Sequence, residues 1–179
     1  MFETPRLRLR AFEESDAPAY HAWWNDAALV PFQTTAPVRP VTRDDSLASL
    51  KTWVKESLIY CSAETLAGGQ LIGMINLFGG DPKNRNFQLA IIIARPFWGH
   101  GFGREMVEFI THYAFAELGV HRLSLQVSAG NVRAIKCYET AGFKHEGRLR
   151  QANFQNNAWT DELLMAMLRE DLPKTAPPK

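Results

Sequence analysis

Arg95-Pro96-Phe97-Trp98-Gly99-His100-Gly101-Phe102-Gly103-Arg104 is the stretch on which the fold turns. Its alternating glycines let backbone amides approach a ligand with no side chain in the way. The apolar run Phe87 to Ile93 precedes it and reads as a strand buried on both faces. After it, Met106, Val107, Ile110, Tyr113, Ala114 and Leu118 mark one face of a long helix closed by Gly119. A helix that begins at such a turn aims its unpaired N–H groups and its positive dipole end at one place. That is an anion site suited to a pyrophosphate, with Arg104 adding a charge. The stretch is not a Walker loop, because the Gly-Lys-Ser/Thr ending is absent. Nor is it the dinucleotide fingerprint, whose glycine spacing differs and which needs a long βαβ series. Alone, the same residues fit a tight strand-to-helix turn equally well.

The signals on either side are regular. Downstream, Leu123, Leu125 and Val127 alternate as a strand, and Asn131 can cap a short helix ending at Gly142. A ribbon over about 143–168 turns at Asn156-Asn157. Upstream, Leu7-Arg8-Leu9-Arg10 alternates as a strand, and Ser15 or Asp16 caps a helix to about Asn25 with Pro18 in its first turn. Residues 31–40 hold three prolines and form a loop, and Thr42 to Asp45 resembles a capping box before a helix bearing Leu47, Leu50 and Val54. Runs 58–65 and 70–78 flank Leu66-Ala67-Gly68-Gly69 as a hairpin, and Asp81 to Asn84 is a turn. No linker divides the chain, which predicts one domain over 1–172 and a Pro- and Lys-rich flexible tail at 173–179.

This order, with Asn131-Val132-Arg133-Ala134-Ile135-Lys136-Cys137-Tyr138-Glu139-Thr140-Ala141-Gly142-Phe143 in its place, resembles the GNAT N-acetyltransferase superfamily. Trp98, Gly101 and Gly103 stand at that family's Arg/Gln-x-x-Gly-x-Gly/Ala positions, with Trp98 where Arg or Gln is usual. The Trp-Gly-x-Gly form and Asn131 to Phe143 look like the RimJ/RimL-like branch, with Ala134 replacing a Ser. Gly147-Arg148-Leu149-Arg150, Trp159-x-Asp161 and Leu168-Arg169-Glu170 also fit, so the resemblance runs from Thr4 to Asp171.

The resemblance implies an α/β domain with a central, mixed but mostly antiparallel sheet flanked by helices. A splayed pair of parallel strands, about 86–93 and 122–127, would form a cleft for acetyl-coenzyme A as acyl donor. The backbone of Ile91, Ile92 and Ile93 would pair with the pantetheine arm as an added strand. The amides of about His100, Gly101, Phe102, Gly103 and Arg104 would hold the pyrophosphate, Trp98 and Gly99 would also belong to the cofactor site, and Asn131 would bond the cysteamine end. Tyr138 matches the family's general acid, which protonates the departing thiolate, although spacing alone fits a packed aromatic.

The base is harder to assign. A primary amine of pKa about 10.4 costs about 4–5 kcal/mol to neutralise at pH 7. Many relatives place a Glu where Gln88 stands, and Gln cannot take a proton at neutral pH. Glu162, Asp161 and His145 are the alternatives, or a water chain. Trp23-Trp24 and Pro31, Phe32 and the loop to Pro40 could line or cover an acceptor site. Arg133, Lys136, Lys144, Arg148 and Arg150 could steer phosphates, or form a solvated face.

Composition narrows the class. The 179 residues carry 20 Lys+Arg against 19 Asp+Glu, a net charge of +1, which argues against nucleic-acid or membrane partners. The first residues lack a leader pattern and no apolar run could span a bilayer, so with only Cys61 and Cys137 the expectation is a reducing cytoplasm with free thiols and no metal. The expected activity is direct transfer of acetyl to a primary amine: a protein N-terminus, polyamine, amino acid derivative or antibiotic, whether small molecule or peptide. A longer acyl group such as succinyl, or a non-catalytic coenzyme A-binding sensor, stands as the alternative, and a homodimer is compatible with either.

Overall fold

The computed structural model describes residues 2–33, 37–155 and 157–173. Asn156 and the tail from 174 onward, both read above, lie outside the described residues. The chain begins with β1 (Phe2–Glu3) and β2 (Leu7–Arg10), followed by α1 (Ala17–Trp24) and α2 (Arg43–Glu56). Then come β3 (Ile59–Thr65), β4 (Leu71–Asp81), β5 (Asn86–Ile93), α3 (Phe102–Ala116) and β6 (Arg122–Ser128). Helix α4 (Val132–Ala141) and the ribbon β7 (Lys144–Gln155) and β8 (Ala158–Leu168) complete it. The strands form one eight-stranded sheet in the order β1-β2-β3-β4-β5-β6-β8-β7. This is the expected mostly antiparallel α/β sheet, with the short β1 added.

The one parallel pair is β5–β6, joined by α3 as a crossover. Their register holds at Asn86–Arg122, Phe87–Leu123 and Gln88–Ser124 and then stops. Strand β5 stays paired with β4 as far as Gly73–Ile93. From Leu89 onward β5 therefore has a neighbour on one side only, and the sheet opens at its middle.

Side-chain alternation sorts the two faces. Leu77, Leu89, Leu123, Leu125, Met165 and Met167 pack with α3 and α4. Met74 and Ile92 instead pack beneath α1 and α2, with Tyr20, Trp23 and Leu50. Strand β5 is not buried on both faces: only Leu89 and Ile92 are buried, and Gln88, Ala90, Ile91 and Ile93 border the opening.

Local chemistry fixes the ends. The Thr42 hydroxyl accepts from the Asp45 amide at 3.1 Å and donates to its carboxylate at 2.8 Å, so the box is not reciprocal. Asn131 caps α4 by accepting from the Ala134 amide at 3.2 Å. Gly142 ends α4 at φ +108°, where a Cβ would stand 2.6 Å from the Asp171 carbonyl, so glycine is required on both counts. Asp16 does not cap α1 with its side chain. It is held by Arg10 at 2.7 Å and accepts from the Ser62 hydroxyl at 2.9 Å, which meets Tyr20 Oη at 3.0 Å. This chain of polar contacts ties α1 to β2 and β3.

Burial alone would raise the Asp16 pKa, but Arg10, the Glu13 amide and Ser62 outweigh it and hold it below its ordinary 3.8. A depressed folded-state pKa means that its stabilisation is present above the unfolded value and is lost as pH falls through the folded one. Asp16→Ala, which leaves Arg10 with Glu64 at 2.8 Å as its remaining counter-ion and takes the acceptor from Ser62, is expected to cost about 2 kcal/mol at pH 7. The difference from wild type should shrink below pH 3.8. Urea unfolding of both proteins at pH 7 and pH 3 measures it.

Candidate active site

The opening in the sheet is a cleft of about 810 Å³. Its wall on the α3 and α4 side begins at the glycine turn. Gly99 and Gly101 adopt φ +79° and +80°, the left-handed region that glycine alone enters at little cost. Gly101 is the N-terminal cap of α3, and the first helical bond runs from the Glu105 amide to its carbonyl at 3.2 Å. The amides of Phe102, Gly103 and Arg104 thus have no partner within the helix. All three residues line the cleft, and free amides at a helix N-terminus beside a cation suit an anion. His100 does not line the cleft; its ring stacks on Phe102 and its carbonyl accepts from Arg6 at 2.8 Å.

Arg6 was not foreseen. It pairs with Glu105 at 2.7 Å, stacks 4.5 Å over the Phe102 ring and holds the His100 carbonyl. The Glu105 carboxylate also accepts from the Arg6 amide at 2.9 Å and the Thr4 hydroxyl at 2.5 Å. The segment between β1 and β2 therefore clamps the turn in place. Nothing local in the sequence links Arg6 to Glu105, which lie 99 positions apart.

The backbone of β5 forms the next wall. The Ala94 amide donates to the Ile72 carbonyl at 2.8 Å, so alternation turns the N–H and C=O of Ile92 toward β4 as well. Ile91 and Ile93 direct theirs into the opening. Of the three residues expected to offer backbone to a ligand, Ile92 is thus already engaged. The Ile93 carbonyl is taken by the Trp98 indole N–H at 2.7 Å, and Arg133 lies 3.5 Å over the Trp98 ring. Trp98 so bridges β5 and α4 across the cleft.

Tyr138 sits on the α4 side, tilted against Phe143 at 5.8 Å. Burial pushes its phenol well above the ordinary value. Its hydroxyl has no protein partner among the described residues, and the residue lines the cleft. Across the sheet, Gln88 pairs with Phe78 and Ser124, which puts its side chain on the α1 and α2 face. Glu162 pairs with Ser128 and is on that same face, only 9% exposed. Among the described residues Glu162 is the sole carboxylate lining the cleft, and it forms no ion pair.

The other candidates for a base fall away. Asp161 accepts from the Gln151 amide at 2.7 Å and from Arg148 at 2.5 Å, contacts that hold it below its ordinary value. His145 pairs with Glu139 at 2.8 Å, outside the cleft. Trp23 is buried on Tyr20, and Trp24 packs on Trp53, so neither lines the cleft. Trp53 does, with Pro31 and Phe32 as expected. The basic cluster divides: Arg133 and Lys136 line the cleft, while Lys144 and Arg148 are held by Asp171 and Asp161. Among the described residues no group of three His, Cys, Asp or Glu could hold a metal, and no helix is long and apolar enough to cross a membrane.

Comparison with known families bears on this geometry. The sequence pattern of the acetyltransferase (GNAT) domain matches residues 6–144, most of the chain. The chain belongs to the GNAT acetyltransferase family. It is 30% identical over 129 residues to the SPbeta prophage-derived uncharacterized N-acetyltransferase YokL of Bacillus subtilis, covering 70% of this chain and 73% of that protein. It is 27% identical over 164 residues to the spermidine N(1)-acetyltransferase of Vibrio cholerae, covering 92% and 94%. The crystal structure of the Vibrio cholerae spermidine N-acetyltransferase in complex with CoA and spermine superposes with a TM-score of 0.83, at 26% identity and 92% and 96% coverage.

Both cysteines are free, and Cys137 lines the cleft. Burial raises each thiol to about 11. Thiolate at pH 7.5 should then be roughly 100-fold scarcer than on an ordinary cysteine, and alkylation correspondingly slow. Iodoacetamide labelling of native protein should accelerate only toward pH 11, and denatured protein should label at two sites. Fast native labelling at pH 7.5 would contradict this burial.

Proposed function

We propose that this protein transfers acetyl from acetyl-coenzyme A to a primary amine by direct attack. The observation that carries the reading is the cleft through the sheet, with three free helix amides and the cationic side chains on one side and a lone carboxylate on the other. A coenzyme A pyrophosphate fits the α3 amides and Arg104. The open edge of β5 at Ile91 suits the amide-bearing pantetheine arm. The Asn131 amide nitrogen can reach the cysteamine end while its oxygen caps α4.

The chain's own residues then divide the proton work. The amine enters from the α1 and α2 face, where Glu162 accepts a proton from the ammonium. The neutral nitrogen attacks the thioester carbonyl, an N–C bond forms, the C–S bond breaks, and the nitrogen releases its second proton to solvent. On the α4 side Tyr138 donates its proton to the thiolate, and solvent returns one to the phenolate. A raised phenol stays protonated at neutral pH, as a proton donor must. Gln88, on the same face but level with Ser124 where Glu162 is level with Ser128, takes no proton.

Release of coenzyme A thiol with acetyl-coenzyme A and an amine panel, together with an added mass of one acetyl on the product, tests the reading. Succinyl-coenzyme A in the same assay tests the acyl group. Tyr138→Phe keeps the ring and should lower kcat by 10²–10⁴-fold with little change in KM for acetyl-coenzyme A. Glu162→Gln should lower kcat/KM by about 10²-fold, whereas Gln88→Ala should cost less than either. Full activity in folded Tyr138→Phe returns that residue to packing alone.

A further inference from the structure

We propose that the acceptor is a single primary amine carried on an uncharged aromatic or apolar body, not a polyamine; the proposal rests on the transfer reading above. Glu162 is the sole carboxylate among the described residues of the cleft. The lining cations Arg104, Arg133 and Lys136 all belong to the opposite, donor side. Leu29, Pro31, Phe32 and Gln33, the residues of the loop after α1 that line the cleft, include no Asp or Glu. Asp26 is held by Arg95 at 3.6 Å. There is one counter-charge for one ammonium.

A polyamine brings at least one more charge along its length, and spermidine two. Each would leave water without a carboxylate to meet it, which disfavours binding. What the acceptor side offers instead is ring surface and neutral hydrogen-bonding groups. Phe32 and Trp53 line the cleft yet remain 45% and 38% exposed, and Phe78 lies beside them in the same lining. Exposed large aromatics that converge on a concave wall mark apolar recognition. Ring faces attract cations less strongly than a carboxylate does, and they cover hydrocarbon at the same time. The Asn153 and Gln33 carboxamides add donors and acceptors without charge. An arylalkylamine and the N-terminal residue of a peptide both present this chemistry.

The test is acetyl-coenzyme A turnover with phenethylamine, phenylalanyl-glycine amide and spermidine, alongside calorimetric titration of coenzyme A. The expected result is kcat/KM for phenethylamine or the dipeptide at least tenfold above that for spermidine. Activity with both assigns the aryl amine as the shared determinant, and activity with the dipeptide alone assigns the peptide source. Trp53→Ala should raise KM for the preferred amine at least fivefold with kcat within twofold. Gln33→Glu, which adds a second carboxylate, should raise kcat/KM for spermidine. Spermidine turned over as well as or better than the aryl amines overturns the proposal while leaving the transfer reading intact. Coenzyme A binding with no turnover of any amine overturns both.

Discussion

The premature end of pairing between β5 and β6 is the constraint from which the rest follows. Three residue pairs hold the two parallel strands, and beyond Gln88 they separate. Unpaired backbone in the middle of a sheet is unfavourable, about 1–3 kcal/mol for each buried group left without a partner. The structure relieves part of this itself, since the Trp98 indole satisfies the Ile93 carbonyl. The remaining edge at Ile91 faces the cleft, and water or a ligand bearing amides must complete it. The glycine turn lies at the far end of the same strand because α3 has to leave β5 there and cross to β6.

The opening also separates charge. The α3 and α4 side carries free helix amides, Arg104, Arg133 and Lys136, while the α1 and α2 side carries Glu162. In the proposed reaction a polyphosphate-bearing donor and a cationic acceptor take opposite faces of one hole. The proposed acid and base stand on those same two faces. Glycine flexibility would blur such a division, and the Thr4–Arg6–Glu105 clamp counters it by fixing the turn from a distant part of the chain.

Local signals were legible in the sequence, and contacts between distant segments were not. The turn, the Asn131 cap and the Gly142 stop are each set by residues within a few positions, and each is where its pattern indicates. The strand periods of β2 and β6 likewise fix which residues face which layer. The periodicity of β5 misled, because an apolar run predicts burial on both faces and cannot register a missing neighbour. Which Trp lines the cleft depends on how α1 crosses α2, so Trp53 was not identified and Trp23-Trp24 drew attention instead. Asp161 and His145 were equal to Glu162 as sequence candidates. Only their partners Arg148 and Glu139 distinguish them, and these are cross-strand and helix-to-strand contacts.

The central claim is that the free edge of β5 is the binding surface for the donor's amide-bearing arm. Hydrogen–deuterium exchange of individual amides, with and without coenzyme A, reads that edge directly. The Ile91 amide should exchange readily in the free protein and become at least tenfold protected when coenzyme A binds. The Ile92 amide, already turned toward β4, should change little. Equal protection at Ile91 and Ile92, or none at Ile91 under saturating coenzyme A, would contradict the account.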